Sequence, residues 1–368
     1  ASVLTGQTFQ ARHLVLALEA GEPRRIARAL ALEVLYSATA GSRGLVQTDA
    51  LLEHVQGLAR RLDDPVAQGA AGLAAGVADV YRGRFVAARA GLERAERVLS
   101  ESCTNVQWEL AMVRTFLIMS LFYLGDVAAM DRALESALRD ARERDDFYAQ
   151  IMLRAAYEPL VAAMHDRTDL ARSGLADVRR RWPEQLATST FDYVLALTEA
   201  RIERYAGAGA LAQQCLERRM PAIRRSFMLT KQPFLVFMLH ERGLTALWAA
   251  RETSGAARRR LLARARADAQ RLLGERTRWA ETMALPLVAG GLAAAGDRAG
   301  AIAAFVASER AFVERGMIVH AAAALRGRGL VEGGEAGAAI VRRAEALMTK
   351  AGVVAPASLA RVLAPPGD

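Results

Sequence analysis

The sequence predicts an all-α fold, specifically a right-handed α-solenoid of antiparallel helix pairs that repeats about every 41–42 residues. Composition gives the first indication, because 52% of the residues are hydrophobic but only 6% are aromatic, and alanine is abundant. Such a composition favours close helix–helix packing over a strand-rich core. The second indication is a series of small turn residues that interrupt the helical patterns at a nearly constant spacing.

The turn residues stand 42, 42, 41, 41, 48 and 41 residues apart along the chain. Glycine tolerates the left-handed conformation that commonly ends a helix, so each of these positions is expected to end one helix and let the next begin. Loop glycines without a structural role would not repeat so regularly. The series consists of Gly41, Gly83, Gly125, Asp166, Gly207, Gly255 and Gly296.

A second pattern follows the turns. Five residues after the turn a small residue is common, and nine residues after it stands a large apolar residue. The small residue lets two helices approach closely, and the large one fills the seam on the same helix face. Arg260 and Arg264 break this pattern after Gly255, so the register there must shift by a residue or more. The pattern is carried by Ala88 with Leu92, Ala171 with Leu175, Ala212 with Leu216, and Ala301 with Phe305.

The turns predict two helices per repeat. Asp64 before Pro65 is a typical helix start, and Pro159 and Pro286 predict a kink or an early break. The tail 364–368 is expected to fray. The register shift at Gly255 divides one continuous solenoid into a part with regular repeats, 1–226, and a less regular part, 227–368. The predicted helices are 8–20, 23–40, 47–62, 65–82, 85–100, 105–124, 126–144, 147–165, 168–182, 188–206, 209–220, 227–251, 256–274, 278–295, 298–315, 317–330 and 335–351.

The register resembles the tetratricopeptide repeat (TPR), although its unit is longer than the ~34 residues of a standard copy. Its best match is Gly76, Gly83, Arg84, Phe85, Ala88, Leu92 and Ala95. Whole phrases, in order along the chain, resemble the C-terminal TPR-like region of large bacterial serine/threonine protein kinases of the myxobacterial type, which also carry an AAA-type ATPase module. They include Phe9-Gln10-Ala11-Arg12-His13-Leu14, Trp108-Glu109-Leu110, Arg181-Trp182-Pro183, Ala222-Ile223-Arg224-Arg225-Ser226 and Leu359-Ala360-Arg361-Val362-Leu363.

The resemblance implies a sensory or regulatory region that binds a protein or peptide, with the parent's own kinase and ATPase domains among the candidates. Mapping TPR positions onto this register puts Tyr123, Arg201, Arg204 and Tyr205 near the concave groove. Aromatic anchors with arginines suit peptide capture. Packing of the tyrosine rings on the next repeat is the alternative, and we favour it.

Motifs for chemistry are missing from the sequence. Neither Lys231 nor Lys350 follows a glycine, so no phosphate-binding loop is present. His165-Asp166-Arg167 has the wrong order for a kinase catalytic loop. We therefore expect no catalytic residue, cofactor or metal in this chain, and place any kinase chemistry in other domains of a longer polypeptide.

The charge leaves an alternative open. The net charge is +9 and the pI about 10.2, and all but two of the 49 basic residues are arginine. Clusters at 179–181, 218–225 and 258–260 could dock an acidic or phosphorylated segment, but exposed helix ends are the favoured interpretation. The alternative function is the sensor region of an ATPase-linked, STAND-type transcription regulator that contacts nucleic acid, which we disfavour. Two cysteines and the absence of a long apolar segment favour a cytoplasmic protein without membrane contact.

Overall fold

The computed structural model describes residues 3–182 and 189–365. Within these ranges the fold is all-α, as the sequence predicts, and contains no strand. The helices are α1 Val3–Ala20, α2 Pro23–Ala38, α3 Leu45–Leu62, α4 Pro65–Tyr81, α5 Phe85–Ser102, α6 Gln107–Leu124, α7 Val127–Glu143, α8 Phe147–Ala156, α9 Glu158–Met164, α10 Thr168–Arg181, α11 Ser189–Tyr205, α12 Gly209–Arg225, α13 Gln232–Arg251, α14 Gly255–Gly274, α15 Arg278–Ala294, α16 Arg298–Val313, α17 Ile318–Glu332, α18 Gly334–Lys350 and α19 Pro356–Leu363.

The chain forms two compact units, residues 1–122 with 226–234 and residues 123–225 with 235–368. The predicted division at 226/227 concerns the regularity of the repeat and stays a prediction; the segment 226–234 belongs to the first compact unit. Within each unit consecutive helices pack as neighbours, for example α4 with α5 and α16 with α17. Short loops make such neighbours antiparallel. The right-handed sense of the stack stays a prediction.

The turn positions are confirmed. All seven predicted turn residues have positive φ, between 56° and 82°. Six are glycines, for which this conformation is not strained. The seventh, Asp166, has φ 56°, and aspartate is one of the few other residues that adopts it readily. The start signal is confirmed as well, since the Asp64 carboxylate accepts the Ala67 N–H at 3.0 Å and caps α4.

The seam pattern is also confirmed. The small and large residues of all four matching repeats are buried. In α14 the residues at the predicted seam positions, Arg260 and Arg264, are exposed, and Ala265, Ala269 and Leu272 are buried instead. The seam of this helix is therefore shifted by one residue, since Leu261 is half-buried next to Arg260 and Ala265 is buried next to Arg264; the sequence predicts a shift of a residue or more at Gly255.

Several helix ends differ from the prediction. The chain breaks at Tyr157, just before Pro159, as expected, but α15 continues through Pro286 and α12 continues through Pro221. The long helical region 227–251 is a 3₁₀ turn at 228–230 followed by α13. The predicted start at 188 lies outside the described residues.

The tail prediction is wrong where it can be examined. A short helix that the sequence analysis did not predict, α19, precedes the tail, and Ala364 and Pro365 are both buried. The remaining residues 366–368 lie outside the described part of the chain.

The first unit has an alanine-rich core. Side chains from α2, α3 and α4 build it, chiefly alanines with Val34 and Val55. The segment 226–234 joins this unit through Gln232, whose Oε1 accepts the Ser42 N–H at 2.7 Å and whose backbone N–H donates to Thr39 O at 3.0 Å. Phe234 adds an edge-to-face contact with the ring of Tyr81.

Candidate functional site

The four residues predicted to bind a partner all lie in the second unit. Tyr123 stands near the end of α6, and Arg201, Arg204 and Tyr205 stand in the last part of α11. All four are buried, with Arg201 the most exposed at 9% and Arg204 the least at 1%. Their contacts are made with groups of their own chain, so partner binding by these residues stays a prediction.

Glu241, on α13, joins the two arginines. Its Oε1 accepts from Arg201 Nε at 2.7 Å, and its Oε2 accepts from an Arg204 terminal nitrogen at 2.6 Å. Burial by itself would raise the pKa of Glu241, but the charges of Arg201 and Arg204 outweigh it and bring the pKa to about 2. The cluster is thus a charged network held in the interior of the unit.

Arg204 also reaches the C-terminal segment. Its Nε donates to the carbonyl oxygen of Arg361 at 3.3 Å, and one terminal nitrogen donates to that of Val362 at 3.0 Å. Its other terminal nitrogen donates to Thr245 Oγ1 at 2.5 Å. Arg361 and Val362 stand in the last turn of α19, where carbonyl oxygens have no partner within the helix. Arg204 therefore caps the C-terminal end of α19.

Further contacts fix the C-terminal segment in the same place. The guanidinium of Arg361 donates to the Tyr205 carbonyl oxygen at 3.1 and 2.9 Å. The indole N–H of Trp248 donates to the Ala364 carbonyl oxygen at 2.9 Å. Pro365 lies so close to Gly290 that a Cβ on that glycine would stand 2.4 Å from the proline ring. The segment is thus bound over its whole C-terminal half.

Rings from four helices stack beside the charged network. Tyr123 stacks on Phe237 and on His320, and meets Trp279 edge-to-face at 5.7 Å between centroids. His240 lies nearby and contacts the Met283 carbonyl oxygen through Nδ1 at 2.8 Å. Burial lowers the pKa of His240 to about 4 and that of His320 to about 3, so both imidazoles are neutral at pH 7.

The sequence pattern predicts Arg201 and Arg204 as site residues. It does not predict Glu241, which pairs with them, or Trp248 and the C-terminal segment to which Trp248 donates. A signal for Glu241 exists in the sequence. His240-Glu241-Arg242 interrupts an otherwise apolar helix, and buried charges in such a helix require partners. The segment had a weaker signal, since Pro356 fits a first helical position and Leu359 and Leu363 are one turn apart.

The arginine clusters mostly contact acidic side chains of the same chain. Glu199 lies within 3.5 Å of an arginine nitrogen from each of Arg179, Arg218 and Arg219. Asp177 pairs with Arg180 and with Arg181. These pairings reduce the positive potential of two clusters, which agrees with the favoured interpretation as helix-end arginines. The cluster at 258–260 is exposed.

An open cleft of about 610 Å³ lies elsewhere in the second unit, among α7, α8, α9 and α10. Its wall includes a contact between His165 Nε2 and Asp131 Oδ2 at 2.7 Å, together with Glu135, Arg142 and Arg167. Across residues 3–182 and 189–365, no group of three or more histidine, cysteine, aspartate or glutamate side chains is placed to hold a metal. Among the helices described, none has the length and apolar character needed to cross a membrane.

The class of the molecule is an all-α array of helix pairs, and comparisons with known proteins do not narrow it further. The sequence matches no protein-family model, no curated protein and no solved structure.

Proposed function

We propose that this chain is a protein-interaction and regulatory array that recognises a protein or peptide, and that it carries no catalytic centre of its own. One observation carries the proposal. A completely buried arginine, Arg204, donates to main-chain carbonyls of a segment more than 150 residues away in the sequence. This contact supports a face that holds a short peptide-like element by its backbone as well as by its side chains.

The surroundings of Arg204 support this function. Recognition surfaces combine aromatic residues with arginine, and a helix in a groove is one of the recurring modes of peptide binding. Here Trp248 and Arg204 act together on the carbonyls of one helix end. An array of this kind works through what it binds, and the resemblance of its sequence to the C-terminal region of bacterial serine/threonine protein kinases leads us to propose a cytoplasmic, regulatory role in such a polypeptide.

A peptide library displayed on phage tests the interaction function. The immobilised full chain should enrich a peptide family whose members bind in solution, as measured by fluorescence anisotropy. An unrelated all-α protein with a similar net positive charge serves as the control, because arginine-rich surfaces retain acidic peptides without specificity. Failure to enrich any peptide above this control would contradict the proposal.

Two further measurements test the wider setting. The gene upstream of the codon for Ala1 should encode a kinase catalytic loop and a phosphate-binding loop of the Walker A type, and their absence would contradict the kinase setting. Duplex DNA titrated at several salt concentrations should not bind the chain. Binding with a steep salt dependence would instead favour the transcription-regulator alternative.

A further inference from the structure

Helix α19 packs against α11 and α17, with α18 beside it, and the residues that follow it lie against Trp248 on α13 and Gly290 on α15. It has eight residues, and an isolated helix of that length is not stable in water. Its conformation therefore depends on the face to which it is bound. In this respect it resembles a bound peptide more than one of the array's own long helices.

The face contacts the end of α19 in two ways. Arg204 and Trp248 donate to backbone carbonyls, and the cationic guanidinium also complements the negative end of the helix dipole. These contacts do not depend on which side chains the helix carries. The apolar side chains of α19 make a second kind of contact. Leu359, Val362 and Leu363 are all buried and follow the i, i+3, i+4 spacing of a helix in a groove.

Arg204 keeps partners in the array without α19. Two of the interactions of Arg204 go to Glu241 and Thr245, which belong to the array itself. Thr245 is in turn fixed by donating to the Glu241 carbonyl oxygen at 2.7 Å. Release of α19 would therefore leave an oriented guanidinium that is still paired with a carboxylate, which is a preorganised site for another helix end.

The start of α19 has no side-chain cap. Its N-cap, Ala355, provides no side-chain hydrogen bond, whereas Asp64, Asp126 and Asp297 cap their helices. The link from α18 runs over residues 351–355, in which Val354 is 62% exposed. Residues 351–353 donate backbone bonds to the end of α18, and the Val354 N–H donates to the Met164 carbonyl oxygen at 2.9 Å.

We infer that the face around Arg204, Trp248 and Gly290 is a receptor for the C-terminal turn of a short amphipathic helix, and that α19 is its resident occupant. The partner is a helix of the same chemistry on another protein: apolar side chains at i, i+3 and i+4, an arginine near the end, and uncapped terminal carbonyls. This inference rests on the proposed interaction function and gives that function a site and a partner class.

A labelled peptide with the sequence of residues 353–365 tests the inference on the full chain. Leu359→Glu loosens the resident helix, and Val354→Glu is the matched control with the same added charge at an exposed position. The peptide should bind Leu359→Glu at least about ten-fold more tightly than wild type or Val354→Glu, because a tethered competitor acts at an effective concentration near the millimolar range. Adding Trp248→Phe to Leu359→Glu should weaken peptide binding several-fold.

Circular dichroism establishes whether the variants are folded. A folded Leu359→Glu chain that binds the peptide no more tightly than Val354→Glu overturns the inference. If Leu359→Glu does not fold, hydrogen exchange on the wild-type chain tests the inference instead. Excess peptide should remove amide protection from residues 353–365 but not from α11 or α13, and unchanged protection of 353–365 overturns the inference.

The two proposals can fail separately. Library peptides that bind wild type and Leu359→Glu equally would support the interaction function and overturn the receptor assignment. Failure of both the library and the labelled peptide would contradict both.

Discussion

The seam between α4 and α5 in the first unit and the buried network in the second unit are packed by opposite means. In the seam, glycines of α4 face large or small apolar residues of α5, and an added Cβ on Gly69, Gly72 or Gly76 would come within 2.4–2.9 Å of a side-chain atom. In the network, two buried arginines share the carboxylate of one buried glutamate.

The difference separates packing from recognition. Shape alone determines the seam, as expected of an interior packed at crystal-like density. Buried ion pairs are often no more stabilising than apolar side chains of equal volume. Stability alone therefore does not explain their presence in the second unit, and we propose that they serve to hold the end of a helix.

Glu241→Gln should have the largest effect, because it leaves Arg201 and Arg204 buried without their carboxylate. Removing one partner of a buried ion pair lowers the free energy of unfolding by about 3–5 kcal/mol. Urea unfolding followed by circular dichroism measures the loss. A loss below about 1 kcal/mol would mean that water enters the network and that the two guanidinium groups are solvated.

Acid should destabilise the second unit through its histidines before it affects Glu241. The folded pKa values of about 4 for His240 and about 3 for His320 lie below the model-peptide value of 6.5. The unfolded chain thus binds more protons below pH 6.5, so stability is complete above that pH and falls with decreasing pH. Each histidine should remove roughly 2 kcal/mol between pH 6.5 and 5.

His320→Phe tests this dependence, because the ring stack with Tyr123 can be kept while the titrating group is removed. Thermal melts from pH 7 to pH 5 should show a smaller decrease in Tm for His320→Phe than for wild type. Gly91→Ala, which changes no titratable group, should keep the wild-type dependence of Tm on pH. If Tm depends on pH equally in His320→Phe and wild type, His320 does not cause the loss of stability in acid.

A matched pair of glycine substitutions tests the seam. Gly76→Ala places a Cβ 2.5 Å from Leu92, which is completely buried and cannot move away easily. Overpacking of about 1–3 kcal/mol should exceed the gain of about 1 kcal/mol in helix propensity, so the variant loses stability. Gly91→Ala meets no atom within 4 Å and should gain up to about 1 kcal/mol. Denaturant midpoints compare the two, and equal changes would contradict close packing of the seam.

Arg310→Ala should have the smallest effect. Its side chain is 82% exposed and pairs with Glu314, which is also exposed. Pairs of this kind contribute no more than about 0.5 kcal/mol. A denaturant midpoint within error of wild type is expected, and a larger change would show that α16 contributes more through this residue than its contacts indicate.

The residues that could be predicted are those whose role is local. Asp166 and the turn glycines follow from the conformation that ends a helix, and Ala88 with Leu92 follows from the helical period. The contact between Arg201 and Glu241 spans 40 residues, and no local pattern encodes which helix faces meet. The position of α19 was missed for the same reason, because its partners Arg204 and Trp248 stand far from it in sequence.

Pro286 shows a different limit. Proline removes one backbone donor, and this predicts a kink or an early break when the helix is considered alone. Pro286 is itself buried in the packed α15, and tertiary packing keeps the helix continuous. A break occurs at Pro159, whereas α15 continues through Pro286, so packing rather than the proline alone decides between a break and continuation.

Asp166 links three parts of the second unit. As a turn residue it has a positive φ, its Oδ1 accepts the hydroxyl of Tyr205 at 2.7 Å, and the Tyr205 carbonyl oxygen accepts from Arg361 in the C-terminal helix. A period of about 41 residues invites the view that the repeats are interchangeable units that can be inserted or excised. Insertion of a repeat between Asp166 and Tyr205 would separate the carboxylate from the hydroxyl, so this repeat is specific to its position in the array.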